Sequence, residues 1–103
     1  MIAEFSVIPI GQGESLSSYV AECLKIVKGS GLKYQFTATC TILEGDYDSV
    51  MRVIEKCHKK IRSMSNRVVT NVRIDDREGS NDEISRKVAS VERKLNVPSD
   101  WNL

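Results

Sequence analysis

Apolar residues in this chain recur at a spacing of two, then of three and four, in an order that leaves few folds open. Residues 2–10 alternate, with Ala3, Phe5 and Val7 on one side and Glu4, Ser6 and Ile8 on the other. Period two with β-branched content predicts a strand, and Pro9 ends its pairing on at least one edge. Gly11 to Glu14 reads as a turn, with Ser15 a candidate helix N-cap. Leu16, Tyr19, Val20, Cys23, Leu24 and Val27 then follow helical spacing, and Gly29 and Gly31 supply the left-handed residue that commonly stops a helix. Residues 31–46, GLKYQFTATCTILEGD, read as two short strands with almost no turn between them, the second over about residues 40–44. Asp46 or Asp48 caps the next helix, whose buried stripe is Val50, Val53, Ile54, Cys57, Ile61 and Met64. Residues 67–75 alternate again, with Val68, Thr70, Val72 and Ile74 opposed to Arg67, Val69, Asn71 and Arg73. After the polar loop 75–81, a last helix from about Asp82 to Leu95 shows Ile84, Val88, Val91 and Leu95.

Strand–helix–strand occurs twice, followed by one more helix. Two such split units make a ferredoxin-like α+β sandwich, a four-stranded antiparallel sheet with two helices on one face. Residues 1–95 form the single expected domain, and 96–103 a tail that Trp101 can dock. A chain of 103 residues buries roughly 60–65% of its unfolded surface, enough for one core but not for a deep private cavity as well. A pocket shared between subunits is one way round that limit. The architecture leaves the second sheet face bare, and here it draws on Glu4, Ser6, Gln35, Thr37, Thr39, Asn71 and Arg73, with Thr41 a further candidate and Ile8 and Val69 as apolar islands. Neutral hydrogen-bonding groups on such a face suit a small polar ligand or a polar interface. The narrow seam at 84, 88, 91 and 95 suits packing against a partner helix, so a homo-oligomer is expected.

Several function classes find no support. Fifteen basic residues stand against 14 acidic, a net charge of +1, which creates no field to draw in nucleic acid or an anionic membrane. The cluster His58-Lys59-Lys60-Ile61-Arg62 reads as a solvated helix face. RNA-recognition domains share this element order but need aromatics on the open face, whereas Phe5, Tyr34 and Phe36 are in phase with the apolar face. Cys23, Cys40 and Cys57 are odd in number and form no CxxC; Cys23 and Cys57 occupy apolar helical positions, as small buried hydrophobes in a reducing, cytoplasmic protein do. The ten-residue apolar start lacks the features of a signal peptide, and no run reaches membrane-spanning length. His58 and Cys57, adjacent on a helix, point about 100° apart and make no nucleophile–base pair. Asp75-Asp76 is too little for a metal site, and Gly11-Gln12-Gly13 lacks phosphate-loop spacing. No catalytic residue, metal or cofactor is expected. Glu4 and Glu44 lie where strands disfavour glutamate unless something engages it: a lysine or arginine, or an amino-substituted or cationic heterocycle. An enzyme using either as general base lacks a paired acid–base partner.

The blocks EFSVIPIG, SLSSYVAECLKIVKGSGLKY, TILEGDYDSVMRVI, RVVTNVRIDDR and KVASVERKL together resemble the thiamine-binding protein family of small ferredoxin-like domains (MTH1187/YkoF-like, UPF0045), in order from Met1 to about Leu95. The resemblance implies dimers or tetramers assembled through the sheets and the extra helix. It also implies non-catalytic binding of thiamine or its hydroxymethylpyrimidine half. Members often carry Pro-Met-Gly where this chain has Ala38-Thr39-Cys40, just before the matching Thr41. Residues matching the family's sheet-face pattern, and so the candidate ligand-binding set, are Glu4, Thr37, Thr41, Glu44, Asn71 and Arg73. A competing reading is a structural or regulatory oligomerisation module whose polar sheet face meets another protein.

Overall fold

The computed structural model describes residues 1–13, 16–79 and 83–95. Its elements follow the periodicity: β1 (Ile2–Pro9), α1 (Ser17–Gly29), β2 (Lys33–Phe36), β3 (Thr41–Glu44), α2 (Tyr47–Met64), β4 (Val68–Asp75) and α3 (Glu83–Leu95). The strands form one antiparallel sheet in the order β2-β3-β1-β4, the ferredoxin-like arrangement. β1 is central because it is long enough to pair with both β3 and β4. Its register sets Ala3 opposite Leu43 and Ile74, and Glu4 opposite Ile42 and Arg73. Residues of one parity therefore face the helices. Ala3, Phe5 and Leu43 meet Cys23 and Val27 of α1 and Val50, Val53, Ile54, Cys57 and Ile61 of α2 in one core. Burial of these apolar side chains is the main force holding helices to sheet.

Asp46 is the cap of α2. Its carboxylate accepts a hydrogen bond from the Ser49 backbone N–H at 3.0 Å; the Ser49 side chain first, and this N–H second, hold its pKa below the ordinary aspartate value. At α1 the cap position is Leu16, without a side-chain bond. The expected cap Ser15, the expected helix start Asp82 and the tail from Asn96 to Leu103, including Pro98 and Trp101, lie outside the described residues.

The β2–β3 connection departs from expectation. Rather than running on with almost no turn, the chain leaves the ladder after Phe36 and rejoins it at Thr41. Thr37 is the cause. Its backbone N–H donates to Cys40 O at 2.9 Å, and its hydroxyl accepts from the Cys40 and Thr39 amides at 3.1 and 3.3 Å. A threonine that bonds its own backbone in this way competes with the sheet ladder. Thr37 and Thr39 are thus turn residues. Thr41 pairs with both Phe5 and Phe36, which places it on the helix side of the sheet, not on the open face.

α3 sits over one end of the open face. The Ile84 N–H donates to Glu44 Oε1 at 3.4 Å, Lys33 Nζ donates to Ser85 Oγ at 3.2 Å, and Lys87 pairs with Asp75. The seam expected on this helix is left facing outward: Val88, Val91 and Leu95 are all exposed, the last by 56%. Among the described residues no helix is long and apolar enough to cross a membrane.

Candidate functional site

The open face is built by the residues of the four strands that alternate with the helix-side positions. Two cross-strand rows matter. One runs Gln35, Ile42, Glu4, Arg73; the next brings Ser6 opposite Asn71. Arg73 Nη1 lies 3.7 Å from Glu4 Oε1, and this pair divides the face into two hollows. The first, of about 230 Å³, is lined by Ile2, Glu4, Ile42, Arg73, Asp75 and Lys87. The second, of about 320 Å³, includes Glu4, Ser6, Thr39, Cys40, Asn71 and Arg73. The Arg73 side chain is 83% exposed, so water screens its attraction to Glu4, and such pairs contribute at most about 1 kcal/mol. Either partner can therefore exchange the other for a ligand group at little cost.

Of the expected set, the fold gathers Glu4, Asn71 and Arg73. Glu44 is at the end of the same face, but it is 9% exposed and already engaged by Lys33 at 4.0 Å and by the first turn of α3. The lysine partner that a strand-end glutamate calls for is present. Thr37 is occupied in its turn and Thr41 is on the other side. The expectation missed Ile2, Ile42, Cys40, Asp75 and Lys87. Ile2 shares the parity of Glu4 and was legible from that alternation. Cys40, whose Sγ lies 3.7 Å from Glu4 Oε2, enters because the turn shifts the phase of β3. Lys87 depends on where α3 lands, for which no local pattern exists.

These groups suit recognition of a small polar molecule. Carboxylates can meet a cation or an amino group, Asn71 and Ser6 supply amide and hydroxyl partners, and the two isoleucines form an apolar wall. His58 is remote from this face: it lies on α2, partly buried, with Nδ1 2.6 Å from Thr70 Oγ1, a structural contact. The Cys57 thiol donates to the Cys23 carbonyl at 3.6 Å. Its hydrogen bonding with the Cys23 side chain and its burial push it far above the usual thiol range, so it stays a neutral core group. No three metal-ligating side chains cluster among the described residues. Phe5, Tyr34 and Phe36 have the helix-side parity, as expected.

Comparison with known proteins gives consistent results. The model of a family described as thiamine-binding protein matches residues 3–92. The chain is similar to the UPF0045 protein MJ1052 of Methanocaldococcus jannaschii, with 34% identity over 91 residues covering 88% of this chain and 91% of that one. It is also similar to the UPF0045 protein YqgV of Bacillus subtilis, at 37% over 100 residues, covering 91% and 96%. The crystal structure of MJ1052 superposes with a TM-score of 0.82 over 87% of this chain and 93% of that one. A domain of unknown function from Bacillus cereus superposes at 0.75 with 27% identity, covering 84% and 85%.

Proposed function

The chain belongs to the thiamine-binding protein family, and from that premise we propose that it is a non-catalytic cytoplasmic binder of thiamine or its hydroxymethylpyrimidine half, acting as a homo-oligomer. The observation that carries this reading is the cluster of Glu4, Asn71 and Arg73 around two shallow hollows on the uncovered sheet face. Thiamine is a cation bearing an aminopyrimidine. Glu4, released from Arg73, is the counter-ion between the two hollows; Asn71 and Ser6 bond the aminopyrimidine in the second, and Ile2 and Ile42 pack against the other ring in the first. Glu44 holds α3 at the edge of this site and Thr37 shapes the adjoining turn. The hollows are open on one chain, and a second copy laid on the sheet closes them; the exposed seam of α3 offers a further surface for packing against a partner helix.

Thermal denaturation with increasing thiamine tests the reading. A ligand at one hundred times its Kd stabilises the folded state by about 2.7 kcal/mol, a rise of several degrees that Glu4→Gln should remove. Absence of any rise with thiamine, its phosphates or the pyrimidine alcohol at millimolar concentration rejects it. The apolar stripe Val88, Val91 and Leu95 favours a second reading, a regulatory oligomerisation module that docks another protein. Under that reading small molecules produce no shift, and Asn71→Ala disrupts assembly.

A further inference from the structure

Two thiols, Cys23 of α1 and Cys57 of α2, meet in the core where the two helices pack together. They are not equivalent. Cys57 is wholly enclosed, whereas Cys23 keeps 8% of its surface and lines an open cleft at the start of α1, beside Tyr19 and Val20. A molecule little larger than water reaches the Cys23 sulfur by that route. Cys57 stands behind it with no surface of its own.

The Cys57 sulfur lies 3.6 Å from the Cys23 carbonyl oxygen and hydrogen-bonds the Cys23 sulfur as well. Donation of the Cys57 proton favours the ionised form of Cys23. It holds the Cys23 thiol below its ordinary range, against the opposing effects of burial and of the Glu22 charge. The same bond, together with burial, keeps Cys57 protonated. Only the thiolate is an effective nucleophile toward oxidants. The reachable sulfur is therefore also the reactive one, and a second sulfur is in contact with it. That is the arrangement of an attacking cysteine and a resolving one.

We propose that Cys23 and Cys57 form a reversible dithiol–disulfide pair, oxidised by a hydroperoxide that enters at Cys23. The Cys23 thiolate attacks a peroxide oxygen; the S–O bond forms, the O–O bond breaks, and the departing hydroxide takes up the proton that Cys23 released on ionising. Cys57 then attacks the sulfenic sulfur. The S–S bond forms, the S–O bond breaks, and this second hydroxide leaves as water with the Cys57 proton. The two sulfurs together lose two electrons, and the peroxide gains them. The bond ties α1 to α2 between residues 34 apart in the chain. In a reducing compartment such a bond is transient, made by peroxide and broken by thiols.

Peroxide titration with mass spectrometry tests it. Cys40, the third thiol, is beside Glu4 and is replaced in Cys40→Ser so that it cannot compete. Folded Cys40→Ser protein treated with equimolar hydrogen peroxide should lose the mass of two hydrogens and regain it with dithiothreitol. Its tryptic digest should contain the peptides of Cys23 and Cys57 joined. With Cys57→Ala added, no resolving thiol remains, and dimedone should trap a sulfenic acid on Cys23. With Cys23→Ala added instead, Cys57 should react at least about tenfold more slowly, as an enclosed and protonated thiol does. The crosslink measurement needs neither alanine variant, so it decides even if one of them fails to fold. Three results overturn the proposal: sulfinic acid on Cys23 without a crosslink, a crosslink that forms only in urea, or a pair left unreacted under conditions that fully oxidise glutathione. Failure of thiamine to stabilise the protein would reject the open-face reading and leave these outcomes unaffected.

Discussion

Replacing Glu44 by glutamine separates the two jobs a carboxylate at that position can do. Glutamine keeps the size of the side chain and an acceptor oxygen for the Ile84 N–H, so only the charge is lost. Two of its contacts are weakened by it. The Lys33 pair is long at 4.0 Å and its lysine side chain is 45% exposed, which puts its value within about 0–1 kcal/mol. The charge at the start of α3 acts through a 3.4 Å bond, and a carboxylate at a helix N-terminus is typically worth about 0.3–1 kcal/mol. Together the loss is about 1 kcal/mol, or roughly a fivefold change in an equilibrium constant. Among the described residues α3 contributes no side chain to the core cluster, so the change should appear as local opening. Hydrogen exchange followed by mass spectrometry should show α3 amides exchanging roughly five times faster in Glu44→Gln, with β1 and α2 unaltered and the denaturant midpoint nearly unmoved. If α3 protection stays at its original level while stabilisation by thiamine disappears, Glu44 is a ligand acceptor and the docking argument is wrong.

Three other outcomes are expected. Leu43, wholly buried beneath the helices, should cost about 2–5 kcal/mol on truncation to alanine, read from urea unfolding; a loss under 1 kcal/mol would mean that the core collapses around the site. Asp46 has its pKa lowered by its hydrogen bonds with Ser49, so its ionised form is favoured in the folded protein. That stabilisation is complete above the ordinary aspartate value of 3.8 and is lost as pH falls through the lower folded value. Melting curves of wild type and Asp46→Ala should therefore differ at neutral pH and converge in acid, and a gap that persists at pH 2 contradicts the assignment. Val91→Asp places a charge on the exposed seam of α3; light scattering should show the proposed homo-oligomer dissociating to a smaller species with its circular dichroism intact, and unchanged mass would remove α3 from the proposed interface.

The alternations within β1 and β4 were sufficient to assign their faces. Side chains in a strand point to opposite sides at a strict period of two, so once Ala3, Phe5 and Val7 were core, Glu4 and Ser6 had to be open, and the same argument gave Asn71 and Arg73. Helical spacing likewise identified Val27, Val50, Val53, Ile54, Cys57 and Ile61 as core, all of them buried. The alternation breaks at the β2–β3 hairpin. Period two carries across a connection only if the residue count in the turn is known, and the hydroxyl of Thr37 takes four residues, 37 to 40, into a bonded turn. The phase after it is reset, which turns Thr41 from the open face to the helix side and brings Cys40 beside Glu4. The placement of α3 was equally invisible. Its apolar seam was legible, but its docking comes from Glu44, Lys33 and Asp75 meeting Ile84, Ser85 and Lys87 across intervals of 12 to 52 residues. Which side chains within each element share a face is local geometry and was readable from residue order alone. Which faces meet, and hence which hollows exist for a ligand, was decided by the tertiary structure, because pairing across distant segments depends on packing that no local period encodes.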